Sequence, residues 1–231
     1  MKNIDYKTQL LLAVFVSSLL LGNLLGSKVI SFFGFVSSVG IFSYPLTFLI
    51  TDIIEEVRGR EVSKMFLHSG LIALCISALF VFISTNFPPA AFYQGNEAYK
   101  SVFSNSLRVI LASIIAFLAA QSHDLWAFNF WKQKTGGKYL WLRNNLSTIF
   151  SQLIDSLVFM FIAFYHQTPE FTSYRIFQMI LPYWAIKIFF ALLDTPFVYL
   201  GVRWLAPEGK IDCKKKDKQE NSAEKKNMLE S

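Results

Sequence analysis

The sequence predicts an all-α membrane protein with six transmembrane helices in one bundle. Three observations carry that prediction. Apolar runs near the twenty residues needed to cross a bilayer recur along the chain. Only 16% of the residues are charged, against roughly 25% in a typical soluble domain. The basic residues cluster in alternate connections and in the tail, as the positive-inside rule requires. In a soluble protein the net charge of +6 would suggest nucleic acid. Here it marks the cytoplasmic side of a membrane, and no direct nucleic-acid partner is expected.

The first span is expected at about 10–25. It follows Lys2 and Lys7 but has no small-residue cleavage pattern after it, so it reads as a helix and not a signal peptide. Gly22 and Gly26 lie four apart, a spacing that lets another helix approach closely, and Asn23 lies on the neighbouring surface. A glycine-rich aromatic turn follows, Phe32-Phe33-Gly34-Phe35 and then Gly40. The second span, about 39–54, contains Pro45, which removes a backbone donor and should bend or interrupt it. It ends in Thr51-Asp52-Ile-Ile-Glu55-Glu56, where Asp52, Glu55 and Glu56 share one helix face. The basic loop with Arg58 and Arg60 is expected to neutralise Glu55 and Glu56 at the interface, with Asp52 a turn deeper.

Span 3, about 66–87, is almost wholly apolar and reads as a packing helix. The loop from Pro88 to Asn105 has a single Lys, which makes it external. Span 4, about 108–130, carries Gln121 and Asp124 on one face, with His123 pointing away as a boundary residue. The connection from Trp131 to Leu142 is basic and flanked by aromatics that suit a headgroup belt. Span 5 is RNNLSTIFSQLIDSLVFMFIAFY, Arg143 to Tyr165. Span 6, about 176–200, contains Pro182, Lys187, Asp194 and Pro196. Six spans with both termini in the cytoplasm fit the Lys and Arg asymmetry. Residues 1–205 then form the transmembrane domain, and 206–231 form a basic tail with the composition of disorder. Cys75 and Cys213 are not expected to meet, and no disulfide or metal site is expected.

Span 5 holds Gln152, Asp155 and Ser156 in its middle, and Gln121-x2-Asp124 repeats the Gln152-x2-Asp155 pattern. A carboxylate at a helix centre costs roughly 2.5–3.5 kcal/mol on insertion, so an intramembrane carboxylate is a functional-site hypothesis by default. Asp52, Asp124, Asp155 and Asp194 must face one another, Lys187, Arg143, Arg108 or water. Polar residues near the bilayer midplane are the usual place for a transporter's substrate. Carboxylates and amides can meet the edges of a planar heterocycle, and aromatic rings can stack on its face. Such a base fits better than a sugar or a metal ion. No cofactor is expected, and no nucleotide-binding loop is present.

Asn23-x4-Lys28, Thr51-Asp52-Ile-Ile-Glu55-Glu56-x2-Gly59, Gln121-x2-Asp124 and Arg143-x3-Ser147-x3-Ser151-Gln152-x2-Asp155-Ser156 together resemble the queuosine precursor transporter family, also called the vitamin uptake transporter family. The resemblance runs from about Asn23 to Tyr199. It implies a six-helix importer in the cell inner membrane for 7-deazaguanine bases: the cyano and aminomethyl precursors, or queuine, used for queuosine in tRNA. It also implies a fold similar to the substrate-binding subunits of energy-coupling-factor transporters. Expected substrate contacts are Gln121, Asp124, Gln152 and Asp155, then Asn23 and Asp52. Arg143, Lys187 and Asp194 are expected as charge partners. The rival readings are a vitamin-binding subunit working with separate ATPase subunits, an intramembrane aspartyl enzyme built on Asp124 and Asp155, and a purely structural subunit.

Overall fold

The computed structural model of the chain describes residues 5–32, 35–134, 140–193 and 195–205. Among them the helices are α1 (Tyr6–Leu25), α2 (Tyr44–Arg58), α3 (Arg60–Asn86), α4 (Asn96–Lys134), α5 (Leu140–Phe164), α6 (Ser173–Leu193) and α7 (Thr195–Leu205). Among the described residues three stretches are long and apolar enough to cross a membrane: Tyr6–Leu25, Arg60–Asn86 and Asn96–His123. A shorter apolar helix covers Ile149–Phe164. The protein is therefore a multi-pass helical membrane protein, with α2 at 15 residues shorter than a full span. The tail 206–231 lies outside the described residues.

The connection between α1 and α2 departs from the expected helical pattern. Strand β1 (Val29–Phe32) pairs antiparallel with β2 (Phe35–Ser38), Val29 opposite Ser38 and Phe32 opposite Phe35. A single 3-10 turn, Val39–Phe42, follows. Val, Ile and Phe favour this extended backbone. The second span does not start at Val39. It starts at Tyr44, and Pro45 sits in its first turn, where the missing N–H costs nothing. Pro45 thus begins a helix and does not interrupt one.

The Gly22–Gly26 pair does allow close approach, but the element that approaches is the end of this hairpin. A Cβ on Gly22 would lie 2.8 Å from Ser43 Cβ. A Cβ on Gly40 would lie 2.7 Å from the Gly22 carbonyl oxygen. Ser38 ties the two together: its hydroxyl donates to Gly26 O at 2.6 Å and accepts from Gly40 N–H at 3.1 Å.

Other boundaries move for local reasons. Gly59, at φ 88°, is the corner between α2 and α3; only glycine adopts that backbone freely. α4 begins at Asn96, so the connection between α3 and α4 is shorter than expected. At 39 residues and 1.5 Å per residue, α4 is about 58 Å long, well beyond an apolar layer of about 30 Å. Span 6 is two helices, with Pro196 in the first turn of α7.

Packing follows small residues and aromatics. Ala112, Ala116 and Ala120 are buried along α4 at four-residue intervals, the spacing that lets helices approach closely. One core joins α4, α5 and α6 through Val109, Ala116, Phe159, Met160, Ile176 and Tyr183. A second joins α1, α2, α3 and α7 through Phe15, Ile50, Ile54, Phe66 and Leu205. The α5–α6 connection is short, so the two helices form an antiparallel hairpin. Phe161 meets Phe177 near the turn, with ring centroids 5.3 Å apart, and Asp155 meets Lys187 deeper in.

Candidate functional site

The two cores leave between them a largely apolar chamber with a few polar groups. α1 contributes Asn23, α2 contributes Tyr44, α4 contributes Ser113, and α5 contributes Asp155 and Phe159. Phe15, Leu67, Leu71, Leu74 and Phe117 form the apolar remainder of a cavity of about 110 Å³. Several waters fit in such a space, since one needs only about 10–15 Å³. A smaller lobe extends from Asn23 past Ser38, Gly40 and Thr47 to Tyr183. The hairpin therefore closes one end of the chamber, and the glycine contacts of α1 hold it there.

Asp155 and Lys187 define the electrostatics. Lys187 Nζ donates to Asp155 Oδ2 at 2.7 Å. The Lys187 side chain is 2% exposed and the Asp155 side chain 21%. The carboxylate thus faces the cavity, and the ammonium sits behind it. The Lys187 ammonium also lies 4.5 Å from the centre of the Tyr44 ring and 4.7 Å from that of Tyr183. Cation–π attraction of this kind is worth about 2 kcal/mol or more when water is excluded. The rings are fixed in turn: Tyr183 stacks on Phe159 at 5.9 Å and 13°, and meets Tyr44 edge-on at 5.9 Å and 85°.

Asn23 is the second polar group of the chamber. It is 6% exposed, and its Nδ2 donates to Leu19 O at 2.8 Å. Among the described residues its Oδ1 has no hydrogen-bond partner. A buried acceptor left unmade costs about 1–3 kcal/mol. Here it faces a cavity in which a ligand or water can supply the donor.

The structure separates the other expected residues. Gln152 is half-buried on the same face of α5, one turn from Asp155. Gln121 and Asp52 are exposed and neither lines the chamber. Asp124 lies in α4 and Arg143 in α5, but their side chains are outside the described set, as is all of Asp194. Lys187 does find its partner on another helix, as its position suggested.

Three polar side chains take partners that the sequence did not indicate. His123, expected as a boundary residue, faces α5: its Nδ1 lies 3.1 Å from the hydroxyl of the buried Ser151. Arg58, one of the cations of the basic loop, donates to Asp5 Oδ1 at 2.7 Å and to Thr8 Oγ1 at 3.3 Å. Arg108, a possible partner for a carboxylate, takes backbone carbonyls at the end of α5. Its Nε donates to Ile162 O at 2.6 Å, and its Nη2 donates to Tyr165 O. That places a cation on the negative end of the helix dipole.

At the N-terminal end of α1 the Thr8 hydroxyl donates to Asp5. This bond, followed by the Arg58 charge, holds the Asp5 carboxyl below its ordinary range. Lys7 donates to Trp204 O at 2.6 Å, so α1, α2 and α7 are fastened together there.

Sequence reasoning missed Tyr44, Tyr183 and Ser113. Tyr44 carried a weak signal, since it precedes Pro45 at the start of a short helix. Nothing in the sequence distinguished Tyr183 from the other aromatics.

A family model described as "Putative vitamin uptake transporter" matches residues 38–201. The chain is 28% identical over 184 residues to a Bacillus subtilis protein named "Probable queuosine precursor transporter", covering 79% of each chain. It is 28% identical over 165 residues to the "Queuosine precursor transporter" of Escherichia coli, covering 71% of this chain and 72% of that one. A Haemophilus influenzae protein named "Probable queuosine precursor transporter" is also 28% identical over 162 residues, 70% of this chain and 66% of the other. No solved structure shows a significant match. The relatives are named as transporters and not as enzymes, and with a match over most of its helices the chain belongs to the vitamin uptake transporter family.

Proposed function

We propose that the protein imports queuosine precursors, 7-deazaguanine bases, across the cell inner membrane for salvage into tRNA. The observation that carries this reading is the chamber itself. A carboxylate and an unpartnered amide oxygen face an apolar cavity bordered by Tyr44 and Phe159. Both polar groups accept hydrogen bonds. A guanine-like edge presents N–H donors and a flat ring, so it satisfies Asp155 and Asn23 and stacks on the aromatics. The names of the relatives point to the same class of substrate. In this reading Asp155 and Asn23 are the primary contacts, and Gln152 and Asp124 are further substrate contacts. The bundle has six spans with both termini inside.

The test uses cells that cannot make the precursor. Queuosine is measured in their tRNA with and without this chain, with each base fed at low concentration. Restoration by one base establishes transport and names the substrate. Asp155→Asn should abolish uptake per molecule present in the membrane, whereas normal uptake by that variant would remove Asp155 from the site. No restoration by any base, with the protein shown to be in the membrane, would favour a vitamin-binding subunit that needs separate ATPase partners.

A further inference from the structure

Lys187 does not line the chamber, yet it fixes the chamber's charge. Asp155 is the one carboxylate among the described lining residues, and none of those residues is basic. Alone, Asp155 would make the cavity anionic and attractive to cations. Lys187 sits directly behind it, 2.7 Å away and 2% exposed, clamped between the faces of Tyr44 and Tyr183. That position is occupied from within the protein, so a ligand amine cannot take it without expelling a buried ammonium. A ligand cation in the cavity would face a pair already neutral, with a second cation a few ångströms off. An uncharged base meets no such repulsion, and it can bond the cavity-facing side of the carboxylate while Lys187 keeps Oδ2.

We propose that Lys187 acts as a specificity-determining residue: from behind Asp155 it makes the chamber neutral, so the protein favours uncharged heterocyclic bases over cationic ones. This rests on the import of 7-deazaguanine bases argued above. Lys187 is a positioning residue that need not touch the substrate, and its signature is a change in preference, not only a loss of activity.

The test compares the neutral 7-cyano base with the 7-aminomethyl base, whose primary amine is protonated at neutral pH. In cells unable to make either, each competes with the other for uptake, read as queuosine in tRNA and by accumulation of labelled base. The unaltered protein should favour the neutral base. Lys187→Gln leaves the carboxylate uncompensated and should move the neutral-to-cationic uptake ratio toward the cation by roughly tenfold or more, given the strength of charge interactions over a few ångströms at low effective dielectric. Lys187→Arg keeps the charge and should keep the original preference. An unchanged ratio in Lys187→Gln that has reached the membrane overturns the inference. If that variant does not reach the membrane, preference of the unaltered protein for the cationic base overturns it alone, and preference for the neutral base supports it. Uptake of queuine alone, whose secondary amine is protonated at neutral pH, overturns the inference, whereas uptake of no 7-deazaguanine base by the unaltered protein is the separate failure of the transport reading, and the inference falls with it.

Discussion

Replacing Asp155 by Asn should destabilise the protein strongly, and a second substitution should restore most of the loss. Asparagine keeps the shape of aspartate but removes the charge that balances Lys187. The ammonium is 2% exposed on its side chain, so water cannot take over. Removing one partner of a buried ion pair costs about 3–5 kcal/mol. An upper bound comes from the lysine itself. Shedding its proton at pH 7 costs about 4.6 kcal/mol for an ordinary lysine, at 1.36 kcal/mol per pH unit. The two tyrosine faces still hold the cation and recover about 1–2 kcal/mol of that. A net loss of about 3 kcal/mol is therefore expected. For a chain of this length 1 kcal/mol lowers Tm by about 2–4 °C, so the shift should be about 6–12 °C. Purified protein in detergent, heated while the folded fraction is followed by size exclusion, reads this directly. Asp155→Asn/Lys187→Met removes both charges and should recover most of that loss, because no buried charge is then left without its partner. A single variant that unfolds with the parent, or a double variant that is worse than the single, would refute the burial argument.

Four further outcomes are expected. Asp5 has its carboxyl held below the ordinary 3.8 by the Thr8 hydroxyl and then by Arg58. Its contribution is therefore present above about pH 4 and is lost as pH falls through the lowered value. Asp5→Asn should lower Tm at pH 7, and the gap to the parent should shrink in thermal scans toward pH 3. Arg108→Ala should cost about 1–2 kcal/mol, since Ile162 and Tyr165 lose a charged donor at a helix end; Arg108→Lys should recover only part, because one ammonium lacks the guanidinium's fork. Gly40→Ala forces a Cβ to 2.7 Å from the Gly22 carbonyl and should cost about 1–3 kcal/mol, as overpacking does, with Tm as the readout. Asn23→Leu removes the unpartnered oxygen without harming a structural bond between helices, because its amide donates only to Leu19 O in its own helix. It should hold Tm while weakening uptake at low substrate concentration.

The helices and the paired charges were legible in the sequence for different reasons. Apolar runs announce spans because a bilayer admits few alternatives to a helix. Asp155 and Lys187 stood out because each is expensive in its own span, and each therefore had to find a partner. The hairpin was hidden. Val29–Phe32 and Phe35–Ser38 are four-residue segments that mix apolar residues with serine, too short for periodicity to separate strand from helix, and the glycines around them suit a turn equally well. Pro45 misled for a related reason. A proline interrupts a helix or begins one, and only the position of the helix start decides which. The repeated Gln-x2-Asp pattern predicted two equivalent polar faces, yet Gln121 is exposed and Asn23, on a third helix, takes a place on the chamber.

The chamber also explains why the molecule carries a buried ion pair where a bundle built only for stability would carry apolar residues. Asp155 alone would be an unbalanced charge in an apolar bundle, and an aliphatic residue there would offer a base nothing to bond. With Lys187 behind it, the carboxylate keeps free capacity on the cavity side while its charge is answered on the other. Tyr44 and Tyr183 supply the rest, each with one aromatic face on the ammonium and other surface on the chamber lining. Four side chains from α2, α5 and α6 thereby depend on one another. Substitution of either tyrosine by leucine should consequently affect both measurements at once, lowering Tm through the lost cation–π contact and shifting base preference by loosening Lys187. A change in Tm with no change in preference would show that the rings only pack, and that the position of Lys187 is held by Asp155 alone.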